Sequence, residues 1–220
     1  KKTIAVCLLV GAILFFPQMY YWHERTGKWL YDSYKNPGVG LDIFSPHILE
    51  ALFSYRKGWF IYTPVMLFAM VGFYFLKKQD KPLFSGIFIY FIVTFYIICS
   101  WSEWWYGAAY SLRPMITTYP LLAISLACFL SFIIKKSKAY QYPVYTIIFF
   151  FILLNQFQWW QLRLFILDPY RTTKDYYWAI FGKTTKKPEW DQYKLVARDF
   201  SGKFEFTNRE NYIHKVLASW

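Results

Sequence analysis

The sequence predicts an all-α integral membrane protein with about five transmembrane helices, an interfacial helix and a small extracytoplasmic C-terminal tail. Three observations lead there. Hydrophobic residues make up 56% of the 220 residues and charged residues only 17%. The apolar residues are gathered into runs close to the roughly 20 residues that a bilayer core requires. Lys and Arg cluster in the short links between those runs, where they act as topology determinants.

The first run spans about 3–21, broken only by Gly11, Pro17 and Gln18 and followed by Tyr20-Tyr21-Trp22, an interfacial aromatic belt. A secretory signal peptide is the rival reading, but no small-x-small cleavage site is present. The run starts almost at once and without an initiator Met, so the chain reads as a fragment of a longer polytopic protein. From His23 to Phe44 the chain is polar, with a turn expected at Asn36-Pro37-Gly38. Ser45-Pro46 then reads as a helix start, giving an interfacial helix over about 46–57 that Gly58 ends.

Further spans are expected at about 59–76, 83–99, 115–134 and 142–159. Pro64 kinks the first of these because it removes a backbone hydrogen bond. The links Lys77–Lys81 and Lys135–Lys138 are basic, like Lys1-Lys2. Five alternating spans put all three on one side, the cytoplasm, and the link 100–114 on the other.

Residues 1–159 therefore form a polytopic bundle and 160–220 a tail. In the tail, Thr172-Thr173-Lys174-Asp175 has capping-box spacing ahead of a helix that Gly182 ends, and Pro188 opens a second helix. Lys203–Phe206 alternates like a short strand, and 209–220 reads as a helix. So few aliphatic residues cannot build an independent core, so the tail should pack on the bundle or on a partner.

The net charge of +12 comes without any recognition helix, zinc-finger pattern or RNA-binding strand, so nucleic acid is not an expected partner. Cys7, Cys99 and Cys128 lie within apolar runs, and His23, His47 and His214 share no short spacing, so no metal site is read from them. No phosphate-binding loop, dinucleotide turn or nucleophile elbow is present.

The candidate site is the link from Ser100 to Pro114. Arg113 stands just before Pro114 at the mouth of a span, where its planar fork could hold a lipid phosphate; the competing reading is a snorkelling anchor. Glu103 has three functional readings, as general base, metal ligand or partner of Arg113, set against a plain solvated carboxylate. Trp104, Trp105 and Tyr110, with Trp101 and Tyr106, could stack on a sugar or form an interfacial belt. Asn155, Gln156, Gln158 and Gln161 either face a wet cavity or join helices by hydrogen bonds.

Two stretches carry a resemblance. Leu52-Phe53-Ser54-Tyr55-Arg56-Lys57-Gly58-Trp59-Phe60-Ile61-Tyr62-Thr63-Pro64 resembles the LFSxxRGLFxYxP motif of bacterial GT-C glycosyltransferases, the group related to protein mannosyltransferases. Trp101 to Arg113 is similar to their WxxWWGGxSxGxR link, although Tyr106 and Ala108 fall around the expected glycine pair. The resemblance covers roughly 45–134. It implies the C-terminal part of an enzyme of the bacterial inner membrane that transfers sugar from a polyprenyl-phosphate donor on the extracytoplasmic face. Arg113 would hold the donor phosphate, Trp104, Trp105 and Tyr110 would line the groove, and Glu103 would position Arg113 or an acceptor hydroxyl. In such enzymes an acidic residue in the first outer loop of an upstream bundle acts as base or metal ligand, so a divalent metal is the one cofactor to consider. Asp32 and Asp42 do not inherit that role, because their loop corresponds to a later one. The alternative is a non-catalytic membrane subunit or scaffold that docks an envelope protein through its tail.

Overall fold

The computed structural model describes residues 2–31 and 39–195. The expected turn at 36–38, the strand at 203–206, the helix at 209–220 and His214 lie outside them. All regular elements among the described residues are helices, with no strand and a lone antiparallel bridge between Leu41 and Trp101. They divide into two compact units, Lys1–Gly40 and Leu41–Trp220.

The first unit is built on α1, Lys2–Thr26. It runs through Pro17 and beyond the expected end of the first span, and Thr26 Oγ1 closes it by donating to the carbonyl of Trp22 at 2.8 Å. Gly27, at φ +71°, takes the left-handed conformation that ends helices cheaply.

The second unit holds α2 (Ile48–Phe53), α3 (Trp59–Tyr62), α4 (Met66–Gln79), α5 (Lys81–Cys99), α6 (Tyr119–Ile133), α7 (Lys138–Arg163) and α8 (Lys174–Ile180). The interfacial stretch is shorter than 46–57: six residues are helical, starting after His47 rather than at Ser45. Gly58 follows, and a Cβ there would lie 2.4 Å from the carbonyl oxygen of Ser54. Gly58→Ala is therefore expected to cost about 1–2 kcal/mol, measurable as a lower unfolding midpoint in a detergent titration.

The expected span 59–76 is two helices, not one. Pro64 lacks an N–H, and the Met66 amide turns to the carbonyl of Thr63 instead of that of Tyr62. The chain breaks at 63–65 and resumes as α4, leaving the Tyr62 carbonyl available to side chains.

Asp80 caps α5, its Oδ1 accepting from the Leu83 amide at 2.9 Å, with Pro82 in the first turn. A 3₁₀ turn, Arg113–Thr118, leads into α6. Lys81–Cys99, with mean hydropathy 2.1, and Arg113–Ile133, with mean hydropathy 1.9, are long and apolar enough to cross a membrane.

Contact is closest between α4 and α6. The pairs Ala69 with Ser125 and Phe75 with Phe132 advance together along both helices, so the two run parallel. Gly72 allows the approach: a Cβ there would sit 2.0 Å from the Ser125 carbonyl oxygen. Because the helices are parallel, the basic links after α4 and after α6 lie at the same end of the pair. Trp59, Phe73, Phe91, Leu112, Met115 and Leu122 fill the core beside them. Ile89 and Val93 of α5, and Phe149 and Leu153 of α7, are exposed.

Among the described residues, the segment after α7 packs back on α3. Ile166, Leu167, Tyr176, Tyr177 and Ile180 form one apolar cluster with Tyr62. The helix cap is shifted by one residue from the expected box: Thr173 accepts from the Tyr176 amide at 3.1 Å, while buried Thr172 donates to the carbonyl of Asp168. Gly182, at φ +71°, follows α8, and Pro188 opens the 3₁₀ turn Pro188–Tyr193.

Candidate functional site

The link 100–113 returns over the α3–α4 break and is held there from three directions. Tyr106 donates from its hydroxyl to the carbonyl of Ile98 at 2.8 Å. The buried Lys57 ammonium donates to the carbonyl of Ala109. Ser111 Oγ lies 3.3 Å from Thr63 Oγ1, which itself donates to the carbonyl of Trp59. Tyr106 and Ser111 adopt φ of 49° and 52°, a left-handed conformation costing roughly 1–2 kcal/mol for each side chain that bears a Cβ. The contacts just named hold the link in that shape.

A cavity of about 130 Å³ opens where the link meets the break, lined by Thr63, Tyr110, Ser111, Arg113, Tyr119 and Asn155 together with Leu112 and Ile116. Asn155 Nδ2 donates to the freed Tyr62 carbonyl at 2.7 Å. The Tyr110 hydroxyl has three acceptors in reach, the carbonyls of Tyr62 (3.0 Å) and Asn155 (3.1 Å) and Gln158 Oε1 (3.2 Å). Burial raises the Tyr110 phenol above its ordinary range, so it remains a neutral donor. The proline break thus opens a largely apolar pocket with a few hydrogen-bonding groups on its wall, and the carbonyl it exposes is satisfied by Tyr110 and by Asn155 of α7.

Arg113 is exposed at the rim and makes no side-chain hydrogen bond or ion pair among the described residues. No carboxylate lines the cavity. Glu103 is half-buried in the link and not paired with Arg113; its backbone carbonyl accepts from the Tyr106 amide at 2.8 Å. Of the aromatic candidates, the structure brings Tyr110 alone to the cavity lining. Trp104 is buried and meets Trp105 edge to face at 6.0 Å. Trp105 carries the Arg56 guanidinium 3.8 Å over its ring, and Arg56 Nε donates to the carbonyl of Tyr170 at 2.9 Å. Trp104 and Trp105 therefore stand with the joint between the link and the segment after α7.

Lys57 escaped the sequence reading as a site residue. It is 2% exposed, and burial, then Arg56, then Arg113 push its ammonium down to about 7, with Asp168 pulling the other way. Asn155 also lines the cavity, whereas Gln158 and Gln161 join α7 to α8: Gln158 Nε2 donates to the Tyr177 hydroxyl at 2.6 Å and Gln161 Nε2 to the carbonyl of Ile180 at 2.8 Å. Gln156 is exposed. Among the described residues no three His, Cys, Asp or Glu side chains gather as a metal-binding set.

Comparison with protein families, with characterised proteins and with solved structures returned no match.

Proposed function

We propose that this chain is the donor-binding, C-terminal membrane region of a glycosyltransferase that uses a polyprenyl-phosphate-linked sugar. The observation that carries the reading is the cavity beside the α3–α4 break. It offers a guanidinium with no ion-pair partner among the described residues, neutral hydrogen-bonding groups from Tyr110, Asn155, Ser111 and Thr63, and no carboxylate. Such a set suits an anion with a polar substituent, and a planar guanidinium can meet a phosphate with two parallel bonds.

The location fits the same substrate. In this reading the chain crosses the bacterial inner membrane five times, at α1, α3 with α4, α5, the 113–133 stretch and α7. The exposed apolar faces of α5 and α7 meet lipid. Lysines after α4 and after α6 lie at one end of that parallel pair and mark the cytoplasmic side. The cavity lies at the opposite end, so it opens toward the extracytoplasmic face, where a lipid carrier presents its phosphate and the tail packs. Arg113 then holds the phosphate as charge builds on the leaving group, and the pocket orients the sugar. The acid or base of the transfer step is not assigned to any residue of this chain.

The test uses the protein in lipid nanodiscs with a polyprenyl phosphate as probe. Arg113→Ala is expected to weaken binding about 30-fold to 100-fold, the worth of a charge-assisted pair of about 2–3 kcal/mol, with the unfolding midpoint unchanged. Equal binding by both proteins would sink the proposal. A scaffold reading draws on the exposed Trp178 and Phe181 of the tail; it requires that Arg113→Ala be silent and that Trp178→Ala release an envelope protein.

A further inference from the structure

We infer that the basic end of the α4–α6 pair is a binding surface for anionic phospholipid, on which Lys78 and Lys136 hold headgroup phosphates at the two ends of an aromatic row made by Tyr74, Phe75 and Phe132. The inference rests on the part of the reading above that places the chain in a bilayer, and it uses neither the cavity nor sugar transfer.

The sequence concentrates charge at this end. Between 65 and 99 and between 115 and 162 the charged residues are Lys77, Lys78, Asp80, Lys81, Lys135, Lys136 and Lys138, six cations against one carboxylate. All seven are exposed. The carboxylate is the cap of α5, with Oδ1 turned to the Leu83 amide, and none of the six lysines forms an ion pair among the described residues. The second link is fixed by the buried Gln141, whose Nε2 donates to the carbonyls of Ile134 at 2.9 Å and Lys136 at 2.7 Å and whose Oε1 accepts from Lys138 at 3.3 Å.

Aromatic contacts join the two links. The Lys136 ammonium lies 4.5 Å from the centre of the Phe132 ring, and Phe132 stacks on Phe75 at 4.3 Å. Phe75 meets Tyr74 edge to face at 5.2 Å, and the Lys78 ammonium lies 4.4 Å from the centre of the Tyr74 ring. A ring face attracts an ammonium without taking up its N–H donors, so each lysine keeps them for a phosphate oxygen. On α4, Leu67, Val71, Tyr74 and Lys78 follow at helical spacing and all four are exposed. That stripe is apolar along two turns and ends in a cation, the profile of a lipid with its chains beside the helix and its headgroup at the end.

This profile selects the ligand. A soluble acidic segment would satisfy the lysines and leave Leu67 and Val71 without a partner. A zwitterionic lipid brings a cation of its own that offsets its phosphate, whereas an anionic phospholipid carries a net negative charge to a surface where lysines outnumber carboxylates six to one. Because α4 and α6 run parallel, both links meet the same leaflet, and the aromatic row lets one end of the pair gather two headgroups at once. The lipid thereby fixes how deep this end of the helices sits.

The experiment is native mass spectrometry of the full chain released from nanodiscs of equal parts phosphatidylglycerol and phosphatidylcholine, read as the ratio of the two lipids that stay bound. The wild-type chain is expected to retain phosphatidylglycerol in excess. Lys78→Gln combined with Lys136→Gln should lower that ratio about 10-fold to 25-fold, at roughly three-fold to five-fold for each lysine near an anionic surface. Its unfolding midpoint should stay that of the wild type, because both side chains are exposed. The matched control, Lys174→Gln with Lys187→Gln, removes the same charge from the segment after α7 and should leave the ratio unchanged. No excess in the wild-type chain, an unchanged ratio in the Lys78 and Lys136 variant, or an equal fall in the control overturns the inference. Amine-specific cross-linking of Lys78 between two chains, without lipid preference, assigns the surface to a second copy and overturns it as well. Polyprenyl phosphate binding at the cavity is measured on the same samples, so a failure here leaves that reading standing, whereas a chain that does not enter nanodiscs overturns both.

Discussion

Replacing Lys194 with methionine is expected to free the segment after α7, raising hydrogen exchange at the amides of α8 by two to three orders of magnitude. Lys194 is buried between two carboxylates, 2.9 Å from Asp168 Oδ2 and 2.8 Å from Asp191 Oδ1, with its ammonium 4.9 Å from the centre of the Tyr176 ring. Removing one partner of a buried pair leaves the other charge unsatisfied, which costs about 3–5 kcal/mol. Asp168 is that partner; it keeps the Tyr170 and Arg171 amides and the Arg171 guanidinium at 3.6 Å, which puts the cost at the lower end of that range. Its carboxyl is subject to burial, which raises it, but the amides of Tyr170 and Arg171 and the Lys194 ammonium outweigh this and hold it below its ordinary range.

The pH dependence of this pair has a definite sign. A carboxyl lowered in the folded state contributes fully above about pH 4, and that contribution disappears as pH falls through the lowered value. Lys194 is raised above its ordinary range because Asp191 and Asp168 overcome its burial, so its contribution is intact below about pH 10 and is lost only as pH rises further. Exchange in α8 should therefore be protected from about pH 4 upward, after correction for intrinsic rates, and Asp168→Asn should reduce the acid-dependent loss to the part that Asp191 contributes.

Gly72→Ala is the second large effect. An added methyl would point at the Ser125 carbonyl, which belongs to a helix backbone and cannot rotate aside. The helices must separate, and the bond from Ser125 Oγ to the carbonyl of Ala69, now 2.9 Å, stretches with them. A loss of about 3 kcal/mol is expected, read as a lower midpoint in a detergent unfolding titration. Gly86→Ala serves as the control, since nothing lies within 4 Å of the position its Cβ would take; a Gly72→Ala midpoint equal to that control would refute the close contact.

What the sequence revealed was mostly local. Pro64 announced a disturbance of the helix, Gly182 and Pro188 marked ends and starts, and the long apolar runs of α5 and α6 were plain. Misjudged features were those where two local signals compete. Thr172 and Thr173 offer the same hydroxyl one residue apart, and tertiary contact chose the second as cap while Asp168 took the first. Asp80 looked like part of a basic turn, although Pro82 beside it makes an N-terminal cap recognisable in hindsight.

The site was half legible. Arg113 and Tyr110 were singled out because of their residue types at the mouth of a span, and they meet at the cavity. Asn155 was noticed as a polar residue in an apolar run, but its partner, the Tyr62 carbonyl 93 positions away, is created by the proline break and has no sequence signature. Lys57 was hidden for the same reason: the link that buries it returns from 52 positions further on. Trp104 and Trp105 had the composition of a sugar platform, yet the first is buried and the second lies under Arg56.

The broken helix also sets an order on synthesis. Tyr62 and its freed carbonyl leave the ribosome long before the Asn155 amide and the α7 segment that answer it. Until then the Tyr110 hydroxyl, 3.0 Å away, is the one side-chain donor among the described residues that can answer it. The shape of the break is therefore incomplete until α7 arrives, and a chain stopped short of Asn155 lacks one of the two side-chain donors that fix it.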